Sequence, residues 1–106
     1  MLNFGLFERI AKKFGTPVYV YDEKKIREQA KLLYSSIPYE PKSLLYAMKT
    51  NFNPEILKIL KTTEVGGIDA VSPGEITFAL RAGFRPKQII FTGNNITDDE
   101  MDFAVE

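Results

Sequence analysis

GIDAVSPGEITFALRAGF, residues 67–84, reads as a strand that runs directly into a helix. Its first part is short and apolar around a single carboxylate, Asp69. Its second part opens with Ser72 and Glu75 at capping-box spacing, with Pro73 at the first helical position. Ile76, Ala79, Leu80 and Gly83 then fall on one helical face. The same order of signals lies on either side. Upstream, SLLYAMK (43–49) is an apolar strand, and NPEILKILKTT (53–63) is a helix with Asn53 as N-cap and Pro54 at N1. Its stripe is Ile56, Leu57 and Leu60. Downstream, KQIIFTG (87–93) is a third strand. TDDEMDFAVE (97–106) opens a third helix, with Thr97 and Glu100 in a capping box and Met101, Ala104 and Val105 facing inward.

Three strand-helix units therefore follow one another. The strands are continuous apolar runs, which predicts a parallel sheet covered on both faces. The fold class is α/β, a doubly wound sheet or the first part of a TIM (β/α)8 barrel. In either architecture chemistry gathers at the carboxyl ends of the strands. Three units cannot close an eight-stranded barrel, so the expectation is the start of a barrel within a longer protein. Its sheet edges would then need a partner or self-association.

Before this repeat, FGLFERIAKKF (4–14) is a helix with Phe7, Ile10, Ala11 and Phe14 on one face and Gly15 to close it. TPVYVYD (16–22) is β-branched and aromatic, a strand by composition. Tyr19 and Tyr21 within it read as core or interface residues. Asp22 caps a helix over 23–36 with a stripe of Ile26, Ala30, Leu33 and Ile37. The two prolines of IPYEPKS (37–43) then break the pattern.

The totals exclude several functions. The 106 residues carry 14 basic and 14 acidic side chains, so no positive surplus exists for nucleic acid or an anionic membrane. No cysteine is present, which removes disulfides, zinc-thiolate sites and thiol catalysis and suits a reducing cytoplasm. No histidine is present either, so a Ser-His-Asp mechanism is impossible within these residues. No metal site is expected. The opening residues lack the pattern of a signal peptide.

Lys49 is the first candidate for chemistry. It ends the first repeat strand, and alternation would turn Ala47 and Leu45 to the same side while Met48 and Tyr46 face the helices. A lysine at a strand end is either solvated or held as an amine nucleophile toward a carbonyl. Asp69 is the second, a carboxylate inside an apolar strand at the equivalent place of the next unit. It either salt-bridges in a turn or neighbours Lys49 at a site. Ser72 reads as an N-cap. Gly93 and Asn94 in TGNN permit a tight turn but lack the spacing of a phosphate loop.

Tyr46-Ala47-x-Lys49-x-Asn51, then Asp69-x-x-Ser72-x-Gly74-Glu75, then AGFRPKQIIFTG (82–93) are specific in combination. Together with FGTPVYVYD (14–22) they resemble the start of the fold-type III pyridoxal-phosphate decarboxylases. The resemblance is nearest to the diaminopimelate decarboxylases of lysine biosynthesis. The ornithine, arginine and carboxynorspermidine decarboxylases are close relatives, and alanine racemase is more distant. Met48, Thr50 and Pro73 depart from the residues usual in the family, without touching the assignment of Lys49.

The resemblance implies that Lys49 carries pyridoxal 5'-phosphate as a Schiff base, with Ala47 and Asp69 beside the cofactor. It implies decarboxylation of meso-diaminopimelate to lysine by a cytoplasmic homodimer, the small amino acid being the substrate. Residues 1–22 would belong with a β-rich second domain, and 23–106 would begin the cofactor-binding barrel. The family's ring-stacking histidine, pyridine-nitrogen acid and phosphate-binding glycine loop would come after residue 106. The chain alone would then be inactive and bind the cofactor weakly. The rival reading is a non-catalytic α/β module that self-associates.

Overall fold

The computed structural model of the protein describes residues 3–106. Helix α1 (Phe4–Phe14) starts on Asn3, whose side chain accepts from the Leu6 N–H, and ends on Gly15 at φ 81°. Only glycine takes that left-handed backbone without strain. Helix α2 (Glu23–Ser36) is capped by Asp22, which accepts from the Lys25 N–H. Three parallel strands follow: β1 (Leu44–Ala47), β2 (Val65–Ala70) and β3 (Ile89–Phe91), in the order β1-β2-β3. Between them run α3 (Pro54–Lys61) and α4 (Pro73–Arg81), and α5 (Asp98–Val105) comes last. This is the repeated βα order of the repeat's sequence.

The caps form where the sequence places them. Asn53 accepts from the Glu55 N–H, Ser72 from the Glu75 N–H and Thr97 from the Glu100 N–H. Thr97 and Glu100 form a full reciprocal box. At the second unit the return contact slips by one residue, because Glu75 accepts from the Val71 N–H instead.

One face of the sheet is packed. Met48, Leu57, Ile68, Ala70, Ala79 and Phe84 form the main core, all at most 2% exposed. Ala30, Ile56, Leu60 and Val65 form a second cluster under α2. The other face is open, contrary to the expectation of strands covered on both sides. Register pairs Leu45 with Gly67, Ala47 with Asp69, and Asp69 with Ile90. Neighbours in register share a face, and on this side Gly67 is buried, Leu45, Ala47 and Asp69 are half-buried, and the opening is widest at β3. Ile90 is accordingly 49% exposed. The apolar runs look alike whether or not a second layer is present.

Four further expectations are corrected. Residues 16–22 bend at Thr16 and Pro17 and join no sheet among the described residues. They lie along α1 instead, lining a groove with Phe7, Ile10 and Ala11. β-propensity describes fitness for a pleated, half-buried surface, and most of this segment is exposed, with Tyr19 and Tyr21 outside the core. The first repeat strand stops at Ala47, and Met48–Thr50 turn as a 3₁₀ segment. Leu33 and Ile37 at the end of the α2 stripe are exposed, and so is Leu80 in α4. Of the α5 stripe, Met101 and Val105 are exposed and Ala104 is half-buried. Among the described residues, no helix is long and apolar enough to cross a membrane.

Candidate active site

The carboxyl ends of β1, β2 and β3 form one rim, and Lys49, Asp69 and Thr92 are gathered there. Met48 is fully buried among the helices, as alternation requires. The chain then turns in a single 3₁₀ step, and Lys49 stands exposed on it. Among the described residues, none forms an ion pair or hydrogen bond with its ammonium.

The turn itself is firmly stapled. The Thr50 hydroxyl donates to the Ala47 carbonyl at 2.9 Å, and it also meets the Tyr46 hydroxyl at 3.2 Å. The Tyr46 hydroxyl donates to the Asn51 carbonyl at 3.0 Å, closing a loop around Lys49. The Asn51 N–H bonds the Met48 carbonyl, and its side-chain oxygen accepts from the Asn53 N–H. The Tyr46 and Thr50 side chains and the Asn51 backbone therefore hold the backbone around Lys49. Residue types alone could not reveal this, since it needs the 46-to-51 contact in three dimensions.

Asp69 lies beside Ala47 across the β1–β2 ladder. It is half-buried, and the Thr92 hydroxyl donates to its Oδ1. That bond answers the cost of a carboxylate within an apolar strand. Thr92 was not among the candidates read from sequence. The signal was present: it is two residues beyond Ile90 on the same face, and Ile90 pairs with Asp69.

Ser72 is an N-cap and lies in the helix start. Gly93 has a packing role, because an added Cβ would lie 3.1 Å from both the Val71 carbonyl and Ile96 Cγ1. Asn94 is exposed. Asn95 takes the positive φ of 52° in this loop.

Comparison with known proteins follows this geometry. Residues 23–106 match the family model described as pyridoxal-dependent decarboxylase, pyridoxal binding domain. The chain belongs to this family. The pyridoxal-dependent decarboxylases similar to it include the diaminopimelate decarboxylase of Methanothermobacter thermautotrophicus. The two are 48% identical over 99 residues, 92% of this chain and 23% of that protein. The diaminopimelate decarboxylase of Aquifex aeolicus is 38% identical over 93% of the chain and 23% of its own length. Among solved structures, diaminopimelate decarboxylase from Helicobacter pylori, complexed with L-lysine, superposes with a TM-score of 0.80 at 41% identity. That match covers 93% of this chain and 25% of the other. Lysine/ornithine decarboxylase from Vibrio vulnificus shares the fold with a TM-score of 0.85, over 95% of this chain and 27% of that one. The chain thus spans about a quarter of the length of the relatives it matches.

The site's chemistry fits the cofactor of a pyridoxal-dependent decarboxylase. A primary amine stands at the rim with no partner among the described residues. The face below it is kept low by Ala47 and Gly67, and a hydroxyl-held carboxylate stands alongside. An aldehyde needs such an amine, and a flat ring needs such a floor.

Proposed function

We propose that the enzyme containing this chain is a pyridoxal-phosphate-dependent decarboxylase acting on meso-diaminopimelate and yielding lysine. We assign Lys49 as the residue that binds the cofactor covalently, with Ala47 and Asp69 beside it. Residues 23–106 begin its cofactor-binding barrel, and residues 1–22 lean on a second domain. The observation that carries the reading is the Lys49 amine, exposed and without a partner among the described residues, on a turn stapled by Tyr46, Thr50 and Asn51. The choice of substrate is supported by the 48% identity to a diaminopimelate decarboxylase. We further propose a cytoplasmic homodimer, on the strength of the family pattern.

Each residue has a stated task. Lys49 would hold pyridoxal phosphate through its Nζ, the aldehyde oxygen leaving as water, and its stapled turn would fix where the amine is presented. Pyridoxal phosphate, when bound, supplies the electron sink that takes up the pair left behind as the substrate's α-carboxylate departs as carbon dioxide. The Lys49 amine, when not bonded to the cofactor, would carry a proton that it could deliver to the substrate. Asp69, anchored by Thr92, would stand on the same rim as this amine. Ala47 leaves room for the ring.

The test is to treat the 106-residue chain with pyridoxal phosphate and sodium borohydride, then map the adduct by mass spectrometry. A stable adduct at Lys49 that disappears in Lys49→Ala is expected. Labelling spread over exposed lysines, with Lys49 no more reactive than the rest, would sink the assignment. The substrate is tested separately, by carbon dioxide release from the complete enzyme with meso-diaminopimelate, ornithine and arginine. The chain alone is expected to release none.

A further inference from the structure

The segment before α2 reaches the Lys49 turn through one side chain. The Tyr21 hydroxyl oxygen accepts from Asn51 Nδ2 at 3.0 Å. This bond joins residues 30 positions apart in sequence. Tyr21 is itself anchored, because the next residue, Asp22, caps α2. The Asn51 amide thus works at both ends. Its nitrogen holds the approach to α2, and its oxygen holds the Asn53 N–H at the approach to α3. Between these bonds the Asn51 backbone carbonyl receives the Tyr46 hydroxyl, and Lys49 lies inside the loop so closed.

We propose that Tyr21 is a positioning residue for Lys49, acting through Asn51. Tyr21 touches no reacting atom. It restricts rotation of the Asn51 side chain and so limits the ways the 48–51 turn can open. Without the phenol, the Asn51 amide would exchange its partner for water. The turn would then keep its internal bonds but lose its tie to the rest of the chain. Tyr21 lies outside residues 23–106, so the matched domain takes part of the rigidity of its lysine from the segment before it. The proposal rests on the reading of Lys49 as the aldehyde-binding amine, since only then does a fixed lysine backbone matter.

The experiment uses the 106-residue chain as wild type, Tyr21→Phe, Asn51→Ala and the double variant. Two quantities are read: amide hydrogen exchange over residues 49–51, and the rate of the borohydride-trapped pyridoxal phosphate adduct at Lys49 relative to exposed Lys87. Loss of one hydrogen bond corresponds to about a threefold to tenfold change. Tyr21→Phe is therefore expected to speed exchange at 49–51 by about that factor and to slow the Lys49 adduct relative to Lys87. Circular dichroism should be unchanged, and the double variant should be no worse than Asn51→Ala alone. Exchange in Tyr21→Phe equal to wild type would overturn the proposal, and so would additive effects of the two substitutions. If the wild type forms no adduct at Lys49, the reading of Lys49 fails, and the exchange result by itself decides whether Tyr21 braces the turn.

Discussion

A lysine amine sits at the end of a long flexible stem, so its position depends first on how firmly its backbone is held. At Lys49 the holding groups are Tyr46, Thr50 and Asn51, none of which needs to touch a ligand. Asp69 presents the opposite case, a short side chain whose direction is set by one neighbour. Thr92 donates to Asp69 Oδ1, and the contact lies at the solvent-facing rim of the sheet. Thr92→Val removes the donor and keeps the shape. We expect a loss of about 1 kcal/mol of stability, the middle of the range for a single hydrogen bond. Thr92→Ser should retain most of it. Urea unfolding of the three chains checks this, and equal midpoints for wild type and Thr92→Val would show that the bond contributes nothing. The carboxylate was visible in the sequence as an oddity inside GIDAVS. Its partner was not, because finding Thr92 requires the register of β3 against β2.

Elements announce themselves to different degrees. The helix starts were legible because a cap is local: Asn53-Pro54, Ser72-Pro73 and Thr97 with Glu100 each carry the whole signal within four residues. The end of β1 was not legible. Met48 is apolar and fully buried, and composition cannot separate a buried strand residue from a buried turn residue. Segment 16–22 joins no sheet for a related reason, since pairing depends on a partner strand and not on the segment's own composition. Gly67 shows how closely two strands can be fitted. A Cβ at this position would lie 2.1 Å from the Gln88 carbonyl and 2.8 Å from Leu45 Cδ2. Backbone cannot yield as a flexible side chain can, so Gly67→Ala must push β3 away from β2. We expect a loss of about 2–4 kcal/mol, the range of severe overpacking. Gly5→Ala is the control, because its Cβ would meet nothing closer than Asn3 Oδ1 at 3.7 Å in an exposed helix. That change should be neutral or stabilising by up to about 1 kcal/mol. Thermal unfolding of both variants gives the comparison, and an equal response would refute the clash.

At the scale of the whole molecule, size and shape disagree with a self-contained domain. A compact chain of this length has a radius of gyration of about 13 Å, whereas this one has 16.6 Å, with extents of 51 × 36 × 22 Å. A folded monomer of this mass exposes about 6,000 Å², but this chain exposes 7906 Å². The excess is roughly twice the 800 Å² that each partner contributes to a standard interface. Much of the exposed surface is apolar and falls in identifiable places. Ile90 lies on the open sheet face, Phe4 and Phe14 on α1, and Leu33 beside the groove between α2 and β1. Burial of apolar area is the main drive for association, so such a slab should not stay alone in solution. We expect the isolated chain to sediment as a concentration-dependent mixture of oligomers and to bind a hydrophobic dye more strongly than a compact protein of equal mass. In a chain as long as the relatives it matches, both signals should be weaker if further residues cover this face. A sharp monomer boundary at every concentration, with no dye binding, would mean that the exposed face is stable in water and would remove the basis for this expectation.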